Sequence, residues 1–276
     1  METKSLAKSH GGTQGVYTHQ SQTCRCPMTF AVFVPPHKEG AKLPVLWYLS
    51  GLTCTHANVM DKGEYRKAAA EHGVMTVCPD TSPRGESVAD DADNWKLGCG
   101  ASFYVDATQA PWSAHYRMYS YVRDELPRLV AANFPADMSR QSIFGHSMGG
   151  HGALVLALRN PDRYRSCSAF SAIVHPMTAD WSRPALEAYL GPDQSKWRAY
   201  DAVALIEDGA RIKELLIDQG TSDQFLNDGL RPHLLDEACL NAGIKLQLRM
   251  RDGYDHSYFF ISTFMAEHIA WHAERL

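Results

Sequence analysis

The sequence has no hydrophobic run of membrane-spanning length, and its first residues, METKSLAKSHGGTQG, contain no apolar stretch typical of a signal peptide. It also lacks a strong excess of charge of one sign, since 27 Lys and Arg stand against 31 Asp and Glu, for a formal net charge of -4. These absences argue against a membrane protein, a polybasic membrane-surface protein and a nucleic-acid-binding protein. We therefore expect a cytoplasmic protein.

The sequence also has few cysteine or histidine spacings that are typical of disulfide frameworks or metal sites. The seven cysteines are an odd number and are spread from Cys24 to Cys239, which favours reduced thiols over a disulfide framework. Cys24-x-Cys26 is too tight for a usual zinc knuckle, and no second cysteine pair accompanies it. In HIAWH, His268 and His272 lack the glutamate of HExxH, and we interpret them as a polar surface face of a helix. The sequence predicts neither a metal nor a cofactor.

The composition is that of a globular protein, with 45% hydrophobic and 21% charged residues. The segment MTFAVFVPP, residues 28–36, alternates and then stops at a double proline, as an early antiparallel strand would. Near-continuous apolar runs such as LPVLWYLSG predict strands buried on both faces, and helical patterns alternate with the strands. Strands are predicted at 28–36, 43–51, 74–80, 166–173, 215–220 and 245–250, and helices at 61–73, 113–134 with a kink near Pro127, 227–242 and 257–275. This alternation predicts an α/β fold with a mostly parallel central sheet covered by helices on both faces.

Domain organisation follows from length and from the distribution of these elements. A chain of 276 residues is an ordinary size for one α/β domain, and no repeat or low-complexity segment interrupts it. The interval 175–213 is the only stretch that resembles an irregular insertion, and it is short. We expect a single domain over residues 1–276, without a large lid domain.

The segment SIFGHSMGGHGAL, residues 142–154, places a serine among four glycines. An apolar strand pattern precedes it, and a small and aliphatic helical pattern follows. Gly145-His146-Ser147-Met148-Gly149 therefore matches G-x-S-x-G in the strand-turn-helix context of a nucleophile elbow. A serine at such a turn has a strained backbone, so its neighbours two positions away must lack side chains. The motif predicts an α/β-hydrolase fold with Ser147 as the nucleophile, although a glycine-rich helix-sheet contact would have a similar composition.

A base and an orienting carboxylate are expected in loops after later strands, in the order Ser, Asp, His. Asp223 follows the strand at 215–220, and His256 follows the strand at 245–250 and precedes the last helix. Asp218 lies inside a strand and Asp228 in the next helix, so both are worse candidates. We predict a catalytic triad of Ser147, Asp223 and His256.

Other histidines near the serine fit the role of base less well. His146 adjoins Ser147 but should point away from its hydroxyl, and His151 lies one turn along the helix and is directed elsewhere.

Two backbone N–H groups are predicted to bind an oxyanion. The helix that begins at Met148 directs its N–H groups and its dipole toward the serine. The loop LSGLTCTH, residues 49–56, follows a buried strand and contains Gly51, which permits a close backbone approach. We expect the N–H groups of Leu52 and Met148 to be the two donors.

Further segments are informative when taken together: GGTQGVYTHQS, LPVLWYLSGLTCT, CPDTSPRG, FYVDATQAPW, YRMYSYVRDELP, DQSKWRAYDA, LIDQGTSDQF and GYDHSYFFI. With the elbow, they make the chain resemble the S-formylglutathione hydrolases, also called the esterase D family, over nearly its whole length. The resemblance implies hydrolysis of S-formylglutathione to glutathione and formate, without a cofactor, by a homodimer. It also implies the same triad of Ser147, Asp223 and His256.

The chain departs from that family at two places. Where the family usually has Trp-Asp-Phe-Gly-Thr-Gly-Ala-Gly, residues 95–102 are WKLGCGAS, and His56 stands where glutamate is common. We expect these residues in loops around the cleft, where they bear on substrate identity more than on the class of reaction.

Three further residues are candidates for contact with the substrate. Trp95 and Trp181 lie on predicted loops and either wall the cleft or fill the core. Cys54 lies two residues after the proposed oxyanion donor and either borders the active site or is an inert packed thiol.

Two alternative functions remain open at this point. A general short-chain carboxylesterase or an acyltransferase would use the same residues on the same fold. A non-catalytic binding module would have lost a member of the triad, and all three candidates are present.

Overall fold

A nine-stranded mixed sheet forms the centre of the protein in a computed structural model that describes residues 1–276. In spatial order the strands run β1-β2-β3-β5-β4-β6-β7-β8-β9. Their bounds are β1 Glu2–Ser9, β2 Gly12–Gln20, β3 Pro27–Val34, β4 Leu43–Leu49, β5 Met75–Pro79, β6 Ala136–His146, β7 Cys167–Phe170, β8 Glu214–Gly220 and β9 Lys245–Arg251. The six strands from β5 to β9 in this order pair in parallel, and β1, β2 and β3 pair antiparallel at one edge. The predicted α/β fold with a mostly parallel sheet is confirmed.

Helices cover both faces of this sheet. Their bounds are α1 His56–Lys62, α2 Tyr65–His72, α3 Met118–Ser120, α4 Leu126–Asn133, α5 Met148–Arg159, α6 Arg183–Leu190, α7 Ala202–Glu207, α8 Pro232–Ala242 and α9 Tyr258–Ala273. The side chains of successive strand residues point to opposite faces of the sheet. In β4, Trp47 packs in the hydrophobic cluster that includes residues of α3 to α8, and Tyr48 packs in the cluster that includes residues of α1, α2 and α9. Strands buried on both faces explain the near-continuous apolar runs in the sequence.

Two of the predicted helices are interrupted. The prediction at 61–73 becomes α1 and α2, which are separated at Gly63 and Glu64, and α2 ends at Gly73 as expected. The prediction at 227–242 becomes a short π-helix over Leu226–Leu230 followed by α8, with Arg231 in the left-handed region before Pro232.

The helix predicted at 113–134 begins only at Met118, after a 3₁₀ turn over Trp112–Ala114. A π-helical segment over Tyr121–Glu125 then joins α3 to α4. It ends two residues before Pro127, the residue near which the sequence predicts a kink. A proline has no N–H to donate, and its ring disturbs the preceding turn, so a wider turn accommodates it.

The antiparallel hairpin of β1 and β2 was not predicted. Its two strands join through His10 and Gly11, which have φ values of 46° and 76°. Positive φ at both positions is characteristic of the tight two-residue turn in a hairpin. The pair His10-Gly11 was a sequence signal for this turn. The strand was missed because β1 is polar and exposed, so it has no apolar pattern.

The interpretation of His268 and His272 as a surface face is wrong, since both side chains are fully buried. They lie on the face of α9 that packs against β7, where Ser166 and Ser168 supply partners. Ser168 Oγ lies 2.8 Å from a ring nitrogen of each histidine, and Ser166 Oγ lies 2.7 Å from Nδ1 of His272. These hydrogen bonds compensate for the loss of water around the imidazole rings, so the histidines can be buried.

The interval 175–213 folds against the body of the protein as α6, α7 and short 3₁₀ turns, with the side chains of Leu186 and Tyr189 buried. None of the helices combines the length and apolar character needed to cross a bilayer.

Candidate active site

Ser147 lies at the turn between β6 and α5, with φ of 56° and ψ of −119°. A Cβ atom at Gly149 would lie 1.9 Å from the carbonyl oxygen of Leu49, and one at Gly145 would lie 2.6 Å from the same oxygen. No side chain fits at either position. The glycines of G-x-S-x-G therefore allow β4, β6 and α5 to meet closely enough to hold the serine in a strained conformation.

Asp223 and His256 meet beyond the ends of neighbouring strands. Asp223 lies three residues after β8, and His256 lies between β9 and α9. Asp223 Oδ2 is 2.6 Å from Nδ1 of His256. Parallel strands bring their following loops to one edge of the sheet, which is the edge where Ser147 also lies.

The Asp223 carboxylate is held by several donors. Its Oδ1 accepts a hydrogen bond from the N–H of Phe225 at 2.9 Å, and its Oδ2 accepts one from Nε2 of Gln219 at 3.2 Å. Burial raises the pKa of the Asp223 carboxyl, but the hydrogen bond and charge of His256 and the backbone bond outweigh burial, so the pKa lies below its ordinary value. The group is a carboxylate at neutral pH and can orient the imidazole.

Ser147 and His256 face the same cavity, which has a volume of about 230 Å³. The structure contains no direct hydrogen bond between the Ser147 hydroxyl and the imidazole. In enzymes without substrate, such bonds are often long and tighten when the substrate binds. The two side chains are therefore in the same cavity, with the imidazole oriented by Asp223.

The two predicted oxyanion donors are available for a ligand. The N–H of Leu52 takes part in no backbone hydrogen bond, and Met148 is the first residue of α5, where an N–H has no partner within the helix. A Cβ atom at Gly51 would lie 3.1 Å from Cβ of Ser147, so the Leu52 loop approaches the serine closely. Leu52 lines the cavity, and Met148 directly follows Ser147, which also lines it.

The three candidate substrate contacts all line this cavity. Cys54 is half-buried in the wall, Trp95 stands at the mouth with half of its surface exposed, and Trp181 is partly buried. Sequence reasoning missed Phe225 and Leu230, which line the cavity beside Trp181. For Phe225, its place two residues after Asp223 could have indicated a position near the site. For Leu230, no sequence signal was available, because its orientation depends on the π-helix over Leu226–Leu230.

His146 lies against His256, with ring centroids 4.5 Å apart and an interplanar angle of 47°. Its imidazole is buried, and neither ring nitrogen forms a hydrogen bond of normal geometry. Burial lowers the pKa of His146 well below its ordinary value, and the neighbouring His256 lowers it further. His146 is therefore a neutral ring behind the imidazole that bonds to Asp223.

The less favoured sequence candidates have other partners. Asp218 is fully buried within β8 and pairs with Arg251 at 2.8 Å, and Asp228 is exposed. His151 lies inside α5, and its Nε2 is 2.9 Å from the carbonyl oxygen of Phe103. No group of three or more His, Cys, Asp or Glu side chains has an arrangement that could hold a metal ion.

Residues 95–102 form a loop as expected, but the expectation of a loop is wrong for His56. His56 begins α1, directly after the capping residue Thr55. The ammonium group of Lys96 lies 5.5 Å from the ring centroid of Trp95 at the mouth of the cavity. Ser102 is fully buried, and its hydroxyl donates a hydrogen bond to the carbonyl oxygen of Thr81 at 2.5 Å.

An oriented imidazole and a strained serine in one cavity, with two free amides close to the serine in the chain or in space, can carry out acyl transfer through a covalent intermediate. The imidazole can accept the serine proton, and the amides can stabilise the negative charge on a tetrahedral intermediate.

Comparisons with known proteins agree with this chemistry. Residues 21–271 match the family model Esterase, described as putative esterase. S-formylglutathione hydrolase of Paracoccus denitrificans is 55% identical over 275 residues, covering 100% of this chain and 98% of the relative. The mouse protein of the same name is 53% identical over 269 residues, covering 96% and 95%. The solved structure of an S-formylglutathione hydrolase from Agrobacterium tumefaciens is 63% identical, with a TM-score of 0.99 and complete coverage of both chains.

Proposed function

The chain belongs to the S-formylglutathione hydrolase family, within the putative esterases, and we propose that it hydrolyses S-formylglutathione to glutathione and formate. The observation that carries the proposal is that His256, which is hydrogen-bonded to Asp223, lines the same cavity as Ser147 at its strained turn. Hydrolysis of this thioester is the closing step of glutathione-dependent formaldehyde detoxification.

In the proposed first half-reaction, Ser147 Oγ attacks the formyl carbonyl while Nε2 of His256 accepts the serine proton. Asp223 holds the imidazole in the required tautomer through Nδ1 and stabilises the imidazolium. The N–H groups of Leu52 and Met148 bind the oxyanion of the tetrahedral intermediate. Collapse of this intermediate breaks the carbon–sulfur bond and releases glutathione as its thiolate or, after proton transfer from His256, as its thiol.

In the second half-reaction, water attacks the formyl-serine. His256, which has by then passed its proton to the thiolate or to solvent, accepts a proton from the water and returns one to Ser147 Oγ as formate leaves. A thiolate is a good leaving group, so protonation of the leaving group matters less in the first half-reaction than it does for an amide. The neutral ring of His146 supports this cycle, because it adds no positive charge beside the imidazolium.

The shape of the cavity supports a small acyl group. Trp181 stacks at an angle on Phe225 with centroids 6.3 Å apart, and Phe225 contacts His256 edge-on at 5.0 Å. These rings and Leu230 line the cavity that also contains Ser147. A formyl group needs little room, and the larger glutathione portion would extend toward the mouth, where Trp95 is exposed.

The proposal is tested by direct assay of the purified protein on S-formylglutathione, with formate and free glutathione as the measured products. Phenyl acetate and other short aryl esters provide the comparison, and a fluorophosphonate probe should label Ser147 alone. Ser147→Ala should lose several orders of magnitude in turnover and retain its melting temperature, since triad members act as a unit. Equal rates with and without the glutathione moiety would indicate a general carboxylesterase, and acyl transfer to an added alcohol would indicate an acyltransferase.

We also propose that the protein acts in the cytoplasm as a homodimer of a single 1–276 domain. All seven cysteines are free, which suits a reducing compartment. One continuous sheet extends from β1 to β9, which supports a single domain. The homodimer rests on the family alone, and sedimentation equilibrium of the purified protein tests it.

A further inference from the structure

The loop that carries Leu52 is strained and needs external support. Gly51 and Cys54 close a four-residue turn, in which the N–H of Cys54 donates to the carbonyl oxygen of Gly51 at 3.3 Å. Thr53, at the third position of this turn, has φ of 65°. That position of a type II turn favours glycine or asparagine, and a β-branched residue there is a genuine outlier. Such a conformation persists only where the surrounding structure holds it.

One support comes from the loop that precedes α3. The N–H of Thr53 donates to the carbonyl oxygen of Gly100 at 2.9 Å, and the N–H of Gly100 donates to Ser82 Oγ at 2.8 Å. A Cβ atom at Gly100 would lie 3.0 Å from Cα of Thr53, so the two chains are in close contact. This support fixes the middle of the turn.

The second support acts on the end of the turn, at the carbonyl oxygen of Cys54. Arg84 Nη2 donates to this oxygen at 3.1 Å, and the Thr81 hydroxyl donates to it as well. Arg84 Nε lies 3.1 Å from both carboxylate oxygens of Asp80, which follows β5 and is buried. One guanidinium thus connects a rigid strand end to the loop of the oxyanion donor.

We propose that Arg84, oriented by Asp80, is a positioning residue that holds the Leu52 N–H in the geometry required to bind the oxyanion. The inference rests on the proposed function, since it assigns a support to one of its two oxyanion donors. Arg84 touches neither Ser147 nor the cavity, and it acts through the Cys54 carbonyl. The segment CPDTSPRG therefore contributes to catalysis, although no triad residue lies within it.

In the ion pair of Asp80 and Arg84, the buried partner is the Asp80 carboxylate, so the loss of Arg84 alone has a cost of its own. Burial raises the pKa of the Asp80 carboxyl, and the charge and hydrogen bonds of Arg84 oppose this effect. Removal of Arg84 alone leaves a buried carboxylate without its cation, which destabilises a fold. The experiment therefore needs a variant that removes both charges.

The test compares Arg84→Ala with the double variant Asp80→Asn/Arg84→Ala, on an aryl acetate and on S-formylglutathione. We expect kcat to fall about 10- to 100-fold, because misplacement of one donor weakens the stabilisation of the transition state. KM should change less than about 2-fold, since the ground-state carbonyl depends little on this donor. The affinity for a short alkyl trifluoromethyl ketone, whose adduct with Ser147 carries the oxyanion, should fall by the same factor as kcat.

Two further measurements separate positioning from stability. Millimolar guanidinium chloride should restore part of kcat in Arg84→Ala, because the side chain is more than a third exposed and its site is reachable from solvent. The matched control is Arg140→Ala, since Arg140 pairs with Asp137 and donates Nη2 to the carbonyl oxygen of Lys42, before β4 and away from the site. This control should keep its kcat.

The outcomes distinguish the two proposals. If the Arg84 variants keep their kcat and their trifluoromethyl ketone affinity while Ser147→Ala is inactive, the positioning role is wrong and the hydrolase function stands. A loss that follows melting temperature alone, without guanidinium rescue, also overturns the positioning role. If Arg84→Ala does not fold, the double variant and Thr81→Val, which removes the other donor to Cys54, give the decisive kcat values. Full activity of Ser147→Ala would overturn the proposed function itself.

Discussion

Oδ2 of Asp223 lies 2.6 Å from Nδ1 of His256, although the two residues stand 33 positions apart in the chain. The contact orients the imidazole, and no other carboxylate forms a hydrogen bond with it. Two neighbouring acids, Asp218 and Asp228, share the segment but not this geometry. Substitutions of Asp223, Asp218 and Asp228 should therefore have three different effects.

Asp223→Asn should reduce kcat by about 10⁴-fold, because an amide that donates to Nδ1 stabilises the wrong imidazole tautomer. Esterase assays with an aryl acetate measure the loss, and circular dichroism checks that the fold is retained. Asp228→Asn is the matched control and should be fully active, since Asp228 is exposed. An active Asp223→Asn protein would show that another group orients the base.

Asp218→Asn should affect stability and leave the activity of the folded protein near that of the wild type. Asp218 is buried beside Arg251, and loss of its charge should destabilise the fold by about 2–4 kcal/mol at pH 7. Urea denaturation measures the change. A variant as stable as the wild type would show that the pair contributes no net free energy.

The same substitution should change the pH dependence of stability. Burial raises the pKa of the Asp218 carboxyl, but its partners outweigh burial and the pKa lies below the ordinary value. Burial also lowers the pKa of His268, so Arg251 supplies the positive charge at neutral pH. Because the folded pKa is depressed, the stabilisation is present above about pH 4 and is lost as the pH falls through the folded value. The difference in melting temperature between wild type and Asp218→Asn should therefore shrink below about pH 4.

Acyl chain length should control the rate. Trp181, Phe225 and Leu230 line the cavity that also contains Ser147, and overpacking a rigid site by a few methylenes costs about 1–3 kcal/mol. We expect kcat/KM to fall about 5- to 150-fold from formyl and acetyl esters to butyryl and longer esters.

Trp181→Ala should move this profile toward longer acyl chains, because it removes the largest side chain of the wall. Gly229 packs against the indole, where a Cβ would lie 2.2 Å from Nε1, and it should tolerate the smaller residue. A wild-type profile that peaks at six or more carbons would contradict this role of the aromatic wall.

A bulky maleimide should inactivate the enzyme through Cys54, whose side chain lines the cavity. Burial raises the pKa of the Cys54 thiol, so labelling should be slow at neutral pH and accelerate as the pH rises toward 9 and above. Cys54→Ser should stay active and become insensitive to the reagent. Cys99, the other half-buried cysteine, gives the control, and Cys99→Ser should remain sensitive. Inactivation of Cys54→Ser would indicate a different thiol.

The sequence by itself was sufficient for the features that local pattern and chain direction encode. A strand buried on both faces has an apolar run such as LPVLWYL, and a turn with no room for Cβ atoms needs the glycines around Ser147. Loops after parallel strands share one edge, so Asp223 and His256 could be selected by their position after β8 and β9. These inferences need only backbone geometry and hydrophobic periodicity.

Tertiary structure alone decided the features that depend on a distant partner. The exposed strand β1 forms because β2 pairs with it, and His268 and His272 can be buried because Ser166 and Ser168 contact them where α9 packs on the sheet. Arg84 reaches Cys54 only after β5 lies beside β4. Hydrogen bonds between residues far apart in the chain produce no periodic pattern in the sequence. Which residues become partners depends on how whole helices and strands pack, and not on the residues next to them in the chain.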